Sequence, residues 1–112
     1  MPALDLQPKH LRLLLEVLDR TVPRAEIWAY GSRVNGNAHE GSDLDLVLYN
    51  SERVDEPMKN ISLLREALAE SNLPILVDVL DWARLTEDMR REIQREHILL
   101  RPPHAQAESH PL

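Results

Sequence analysis

The spacing of apolar and polar residues predicts a chain in which helices alternate with short strands. Residues 7 to 22 place leucines and a valine at helical intervals among charged residues, and Pro23 ends this helix. A run of strand-forming residues follows at 25 to 30, where Gly31 stops it. The chain therefore opens with an amphipathic helix and a strand.

A second strand is predicted at 43 to 49, where the side chains alternate in polarity. Three leucines point to one face of this strand. The opposite face carries Asp43, Asp45, Val47 and Tyr49. This alternation is typical of a strand whose leucine face lies against a core.

The rest of the chain continues the alternation. The predicted elements are a polar connection at 50 to 57, a helix at about 58 to 70, a strand at 75 to 80, a helix from about 86 to 97 and a short edge strand at 98 to 100. Thr86 is the predicted N-cap of the last helix. Asp78 interrupts an apolar run, which is typical of a strand buried on both faces.

This order of elements predicts an α+β fold, a small mixed β-sheet flanked by helices. The length of 112 residues is enough for one domain with a modest core. We assign residues 1 to 100 to that domain. Residues 101 to 112 lack periodicity, so we predict a flexible C-terminal tail there.

Composition narrows the function classes. The net charge of −6 argues against direct nucleic-acid binding, although divalent metals can bridge carboxylates to the phosphates of a nucleotide. The absence of cysteine excludes disulfides and thiolate metal sites. Neither a bilayer-length apolar run nor a signal-peptide pattern is present, so we expect no membrane association and a cytoplasmic location.

The acidic residues suggest a metal site. Asp43 and Asp45 on one strand face lie about 7 Å apart along the strand, because each residue rises about 3.3 Å. Oxygen ligands of this kind suit Mg²⁺, which binds one or two carboxylates together with substrate phosphates. Asp78 on the next strand is the candidate third carboxylate of a two-metal site. Alternatively, the two aspartates are ordinary loop residues that flank a turn.

The stretch before these aspartates suggests a phosphate-binding turn. Gly31 allows close approach of the backbone, and Ser32 is placed to cap a short helix over about 33 to 37, whose N-terminus suits an anion. Arg33 is a further candidate for a phosphate contact, or else an exposed helix residue. The alternative is a simple helix cap, since neither the Walker nor the Rossmann glycine pattern is present.

Other polar and aromatic residues receive structural interpretations. We interpret His39 as a solvated loop residue and the two tryptophans, Trp28 and Trp82, as core or partner-surface aromatics. The last predicted helix carries three arginines among acidic residues, namely Arg90, Arg91 and Arg95. We interpret them as part of a solvated helix face with i,i+4 ion pairs.

Gly31-Ser32, ten residues, then Asp43-Leu44-Asp45 resembles the signature of the DNA polymerase β-like nucleotidyltransferase superfamily. Two longer runs resemble its minimal nucleotidyltransferase (MNT) branch, namely Ala-Tyr-Gly-Ser-Arg at 29 to 33 and Gly-Ser-Asp-Leu-Asp-Leu at 41 to 46. The resemblance covers roughly residues 8 to 100 and implies the nucleotidyltransferase fold.

The resemblance also implies roles for individual residues. Asp43 and Asp45 would hold Mg²⁺ and the triphosphate, and Asp78 would complete the catalytic metal site and help deprotonate the acceptor. Gly31 and Ser32 would hold the β- and γ-phosphates. The implied reaction is attack of an acceptor hydroxyl on the α-phosphate of a nucleoside triphosphate, with ATP expected, releasing pyrophosphate.

Finally, the resemblance implies a partner. Minimal members are often encoded beside a helical HEPN-type toxin, which some of them neutralise by transferring AMP to a tyrosine. We therefore expect an Mg²⁺-dependent adenylyltransferase that acts as an antitoxin, in a hetero-oligomer or a homodimer. The competing hypotheses are a non-catalytic module that neutralises its partner by masking it, and a nucleotidyltransferase that modifies a small molecule.

Overall fold

The computed structural model describes residues 4 to 39 and 41 to 104. Four strands and four α-helices follow one another along the chain. They are α1 (Pro8–Thr21), β1 (Glu26–Tyr30), α2 (Ser32–Asn35), β2 (Leu44–Tyr49), α3 (Ile61–Glu70), β3 (Val77–Asp81), a 3₁₀ turn (Trp82–Arg84), α4 (Glu87–Arg95) and β4 (His97–Arg101). The predicted alternation of helices and strands is confirmed.

The strands form one sheet in the order β3-β2-β1-β4. The pairing of β1 with β2 and with β4 is antiparallel, whereas β2 and β3 are parallel. This arrangement confirms the predicted α+β fold with a mixed sheet. It leaves β3 and β4 as the two edge strands.

The two faces of the sheet pack against different elements. The leucine face of β2 lies in a core with α1 and α3, where Leu14, Leu18 and Leu64 are fully buried. On the opposite face, Val47 packs with Trp82 of the 3₁₀ turn and Ile93 of α4. The alternation predicted for β2 is therefore confirmed, and α4 covers part of the face that carries Asp45.

The third strand differs from its prediction. It begins at Val77 and lies at the edge of the sheet, so it pairs only with β2. Asp78 is exposed, and Leu76 just before the strand is 75% exposed. The prediction that this strand is buried on both faces is therefore wrong. Apolar composition alone does not distinguish an edge strand from a central one.

Some helix boundaries also differ. Gly31, not Ser32, is the N-cap residue of α2, which ends at Asn35 before Gly36 in the left-handed region. The third helix begins three residues later than predicted, because Asn60 adopts a left-handed conformation with φ of 70°. Thr86 is confirmed as the N-cap of α4, since its hydroxyl accepts a hydrogen bond from the Met89 N–H at 3.2 Å.

The tail was predicted to begin at residue 101, but the last strand extends through that residue. Arg101 belongs to β4 and is only 7% exposed. Its guanidinium donates to the carbonyl oxygens of Val22, at 2.7 Å, and Ala25, and it pairs with Asp19 at 3.0 Å. The His104 N–H donates a hydrogen bond to the carbonyl oxygen of Pro23, in the turn between α1 and β1, at 2.8 Å. Residues 105 to 112 of the predicted tail lie outside the described residues.

These contacts predict that Arg101→Met lowers the free energy of unfolding by about 2 kcal/mol, because the buried carbonyls of Val22 and Ala25 lose their donor. Urea denaturation measures the change. Arg91→Met is the control, because Arg91 forms an exposed ion pair within α4 and its loss should change stability by less than about 0.5 kcal/mol. Equal effects of the two substitutions would contradict the anchoring role.

Among the helices in the described ranges, none is both long enough and apolar enough to cross a membrane.

Candidate active site

Three neighbouring strands bring polar side chains together on one face of the sheet. Asp45 of β2 pairs with Tyr30 of β1 on one side and with Asp78 of β3 on the other. Paired residues point to the same face, and adjacent strands lie about 4.8 Å apart. The structure therefore places Asp45 and Asp78 side by side, as the sequence predicts for two metal ligands.

Asp43 completes the acidic group from just outside β2. The strand begins at Leu44, whose N–H donates to the carbonyl oxygen of Leu76 at 2.9 Å. This bond ties the start of β2 to the segment that leads into β3. Asp43 is exposed and lies close enough for its charge to act on Asp45. All three predicted carboxylates thus lie near the beginning of the paired strands β2 and β3.

The charges in this region repel one another. Burial raises the pKa of Asp45, and the carboxylates of Asp78 and Asp43 raise it further. Burial also raises the pKa of the Tyr30 hydroxyl above its usual range, again with contributions from Asp45 and Asp78. Both pKa shifts have the same causes, burial first and then the neighbouring negative charges, and a bound cation would relieve the second of these.

Gly31 packs directly against this acidic group. Its φ of 82° and ψ of −156° lie in a region that is accessible essentially only to glycine. A Cβ atom at this position would collide with the Asp45 carboxylate, with Cγ only 3.3 Å away. The missing side chain of Gly31 therefore lets the turn approach the carboxylate closely.

The turn continues into α2. The Gly31 carbonyl accepts hydrogen bonds from the N–H groups of Val34 and Asn35, both at 3.0 Å. Ser32 is the first residue of this helix, at the end where backbone N–H groups face outward and favour an anion. The structure places Gly31 and Ser32 together beside Asp45. Their role in binding phosphate stays a prediction.

Arg33 is buried and bonded to the main chain, and its contact with phosphate stays a prediction. It is 7% exposed, and its guanidinium donates two hydrogen bonds to the Ser42 carbonyl, at 2.8 and 3.0 Å, and one to the Asp5 carbonyl, at 2.8 Å. The exposed-residue interpretation is wrong. Arg33 holds the main chain directly before Asp43, and a contact with phosphate would require these bonds to break.

The donor set fits Mg²⁺ only in part before a nucleotide binds. Among residues 4 to 39 and 41 to 104, no three acidic or histidine side chains converge closely enough to hold a metal ion. Mg²⁺ usually takes only one or two carboxylates from the protein and completes its shell with phosphates and water. The partly buried Asp45 carboxylate, whose pKa is raised by burial and by its acidic neighbours, suits that mode of binding.

The remaining candidates have structural roles. His39 is exposed in the loop, as predicted, and its ring nitrogen accepts a hydrogen bond from the Gly41 N–H at 3.2 Å. The Trp28 ring stacks with those of Tyr49 and His97, at centroid distances of 4.8 and 4.4 Å, and Trp82 meets its edge. The core interpretation is therefore confirmed for Trp82, which is 3% exposed, whereas Trp28 is partly buried beside it.

The arginines of α4 form i,i+3 ion pairs instead of the predicted i,i+4 pairs. Arg91 pairs with Asp88, and Arg95 pairs with Glu92. Arg90 is not a solvated residue, because it lies over the Trp82 ring and donates to the Trp82 carbonyl at 3.1 Å.

Two residues that bear on the site were not identified from the sequence. Tyr30 lies beside Asp45, and its position directly before Gly31 in an alternating strand was the available signal. Asp81 is buried at the end of β3, where its carboxylate accepts hydrogen bonds from the N–H groups of Met58 and Ala83. Asp81 is a structural carboxylate that joins the connection before α3 to the end of β3.

Comparison with known proteins identifies the family to which the chain belongs. The family described as "Polymerase beta, Nucleotidyltransferase" matches residues 14–102, which include the turn and all three aspartates. The chain belongs to this family. The resemblance inferred from the motif is confirmed, and the protein is a nucleotidyltransferase.

The relatives of this nucleotidyltransferase include a probable protein adenylyltransferase, MntA, of Haemophilus influenzae. It is 39% identical over 97 residues, which cover 87% of this chain and 83% of the relative. Two solved structures share the fold. A toxin–antitoxin with AMP-PNP has a TM-score of 0.65 at 21% identity over 82% of this chain and 73% of that chain. The toxin–antitoxin MntA-HepT has a TM-score of 0.60 at 18% identity over 86% of this chain and 73% of that chain.

Proposed function

We propose that this nucleotidyltransferase transfers AMP from ATP to a hydroxyl group of a partner protein, and that it acts in this way as the antitoxin of a HEPN-type toxin. The observation that carries the proposal is the pairing of Asp45 with Asp78 beside the Gly31 turn. This arrangement combines carboxylates for a metal-bound triphosphate with a turn that suits its phosphates. The named protein adenylyltransferase among the relatives supports the choice of AMP and of a protein acceptor.

The metal in this proposal is Mg²⁺ in a two-metal site, held by Asp43, Asp45 and Asp78. When bound, Mg²⁺ polarises the phosphoryl group and neutralises the charge that develops on it. The solved relative with AMP-PNP supports ATP as the nucleotide. A cytoplasmic location belongs to the same proposal, because the reaction consumes ATP.

The residues of the chain divide the work of transfer. The turn at Gly31 and Ser32 binds the β- and γ-phosphates and so orients the α-phosphate toward Asp45 and Asp78. Asp78 accepts the proton of the acceptor hydroxyl, whose oxygen attacks the α-phosphorus in line. The bond to the β-phosphate oxygen breaks, pyrophosphate leaves, and AMP is joined to the acceptor oxygen.

The acceptor in this proposal comes from another molecule. Asp43 and Asp78 are exposed at the sheet edge, so a hydroxyl carried by a second protein can reach the site. The two structural relatives are toxin–antitoxin structures, one of them MntA-HepT, which supports a toxin as that second protein. A homodimer would supply the hydroxyl from a second copy of this chain.

Transfer of label from [α-³²P]ATP tests the proposal. The wild type and the Asp43→Asn/Asp45→Asn variant are each incubated with Mg²⁺ and a candidate HEPN-type partner protein. We expect labelled partner with the wild type only, and equal complex formation by size-exclusion chromatography. Neutralisation of the toxin by the variant without labelling would overturn the proposal in favour of masking. Labelling of a hydroxylated small molecule, with no protein labelled, would favour the small-molecule hypothesis.

A further inference from the structure

A small cavity lies between the Gly31 turn and α4. Its volume is about 220 Å³. Tyr30, Gly31 and Asn35 line it on one side, and on the other side its charged lining residues are Glu92, Arg95 and Glu96. The cavity therefore adjoins the turn to which the proposed function assigns the terminal phosphates. Arg95 brings a cation to this place near the end of α4.

The Arg95 guanidinium is held only weakly where it stands. Its Nη1 atom lies 3.3 Å from a carboxylate oxygen of Glu92, and the two side chains are 71% and 65% exposed. Exposed pairs of this kind contribute less than about 1 kcal/mol. Arg95 can therefore exchange Glu92 for a more highly charged partner.

The charge balance of the site favours such an exchange. Three carboxylates and a triphosphate together carry more negative charge than two divalent cations neutralise. The remaining charge lies on the terminal phosphates, and arginine binds phosphate through paired, charge-assisted hydrogen bonds. A guanidinium that lines the same cavity as Gly31 is positioned to supply them.

Three other arginines, Arg33, Arg90 and Arg91, bind other parts of the protein. The Arg33 guanidinium donates three hydrogen bonds to main-chain carbonyls. Arg90 lies over the Trp82 ring and is bonded to the Trp82 carbonyl. Arg91 pairs with Asp88 one turn away and is not among the residues that line the cavity.

We propose that Arg95 binds the terminal phosphates of the nucleotide, exchanging its ion pair with Glu92 for a contact with phosphate. The proposal rests on the proposed function, because it assigns the same turn to the β- and γ-phosphates. It replaces Arg33 as the arginine that contacts phosphate, and it makes Glu92 a competitor of the nucleotide.

Calorimetric titration of the whole chain with MgATP and with AMP tests this assignment. Arg95→Gln should weaken MgATP binding about 10-fold or more, the effect of losing a charged hydrogen bond, and leave AMP binding unchanged. Arg91→Gln is the matched control, because it removes the same charge from an exposed i,i+3 pair on the same helix. Equal effects of the two substitutions on MgATP binding would overturn the assignment.

The competitor role of Glu92 gives a second, independent readout. Glu92→Gln should tighten MgATP binding when Arg95 is present and change it little in the Arg95→Gln background. Equal tightening in both backgrounds would show a general charge effect and overturn the proposal. A folded wild type that binds no MgATP would overturn the nucleotide-binding part of the proposed function as well, whereas normal wild-type binding with no effect of Arg95→Gln would overturn this inference alone.

Discussion

Replacing Asp45 by asparagine should reduce nucleotide transfer at least about 10²–10³-fold while making the folded chain more stable at neutral pH. Transfer should fall because the variant loses the central carboxylate of the proposed metal site, the one paired with Asp78. Stability rises because burial, Asp78 and Asp43 all disfavour the charge on Asp45 in the folded state. Opposite changes in activity and stability are the mark of a residue kept for chemistry at the expense of the fold.

The same substitution should change how stability depends on pH. The folded-state pKa of Asp45 is raised above its unfolded value, so its folded state binds more protons between the two values. The wild type therefore loses stability as the pH rises from the unfolded pKa through the folded pKa. The Asp45→Asn variant lacks this loss. Its free energy of unfolding should therefore exceed that of the wild type by an amount that increases as the pH rises from the unfolded pKa to the folded pKa of Asp45.

Urea unfolding of both proteins at several pH values, without divalent metal, measures the effect. Asp55→Asn is the control, because it removes the same formal charge from a carboxylate that is 89% exposed and pairs with Arg90, not with the acidic residues of the site. Added Mg²⁺ and ATP should stabilise the wild type and not Asp45→Asn. An Asp45→Asn variant that is less stable than the wild type at neutral pH would contradict the repulsion described here.

The second large effect is expected from Gly31→Ala. The new Cβ atom would meet the Asp45 carboxylate, and alanine at a φ of 82° is strained even without that contact. We expect a loss of about 3 kcal/mol in the free energy of unfolding. Transfer should fall as well, because relief of the collision moves either the turn or the carboxylate away from its place.

Gly36→Ala is the control for a positive φ without a collision. Gly36 has a φ of 87° with a ψ of 3°, in the left-handed region that strains alanine less than the conformation of Gly31 does, and a Cβ atom there meets nothing within 4 Å. This variant should lose only about 1 kcal/mol and keep transfer activity, because it carries backbone strain without a collision. Thermal unfolding and the labelling assay are run on both variants. If Gly36→Ala were as damaging as Gly31→Ala, contact with Asp45 would not explain the effect.

The elements with strong periodicity could be predicted from the sequence. The bounds of α1 and β2 differ from their predictions by one residue at each changed end, because leucine spacing at 3.6 and 2 residues reports directly on burial. The mixed sheet followed from the order of the elements. The edge position of β3 did not, since pairing partners depend on contacts between residues distant in sequence.

The parts of the candidate site that lie close together in the sequence could be predicted from it. The turn at Gly31 and the carboxylates of Asp43 and Asp45 are close in sequence, and the structure places Asp45 beside both Gly31 and Asp78. The role of Arg33 could not be predicted, because its partners are the main-chain carbonyls of Ser42 and Asp5. The sequence shows which side chains are charged, but only the fold shows which carbonyls they meet.

The register in which β3 pairs with β2 determines whether Asp78 lies beside Asp45. A slip of β3 by one residue would turn Asp78 into the leucine-lined core and expose Val79, and burying an ionised carboxylate there costs several kcal/mol. A slip by two residues would keep Asp78 on its face but move it about 6.6 Å along the strand, too far to share a cation with Asp45. The alternation that builds the core thus excludes the first error and keeps Asp78 on the same face of the sheet as Asp45.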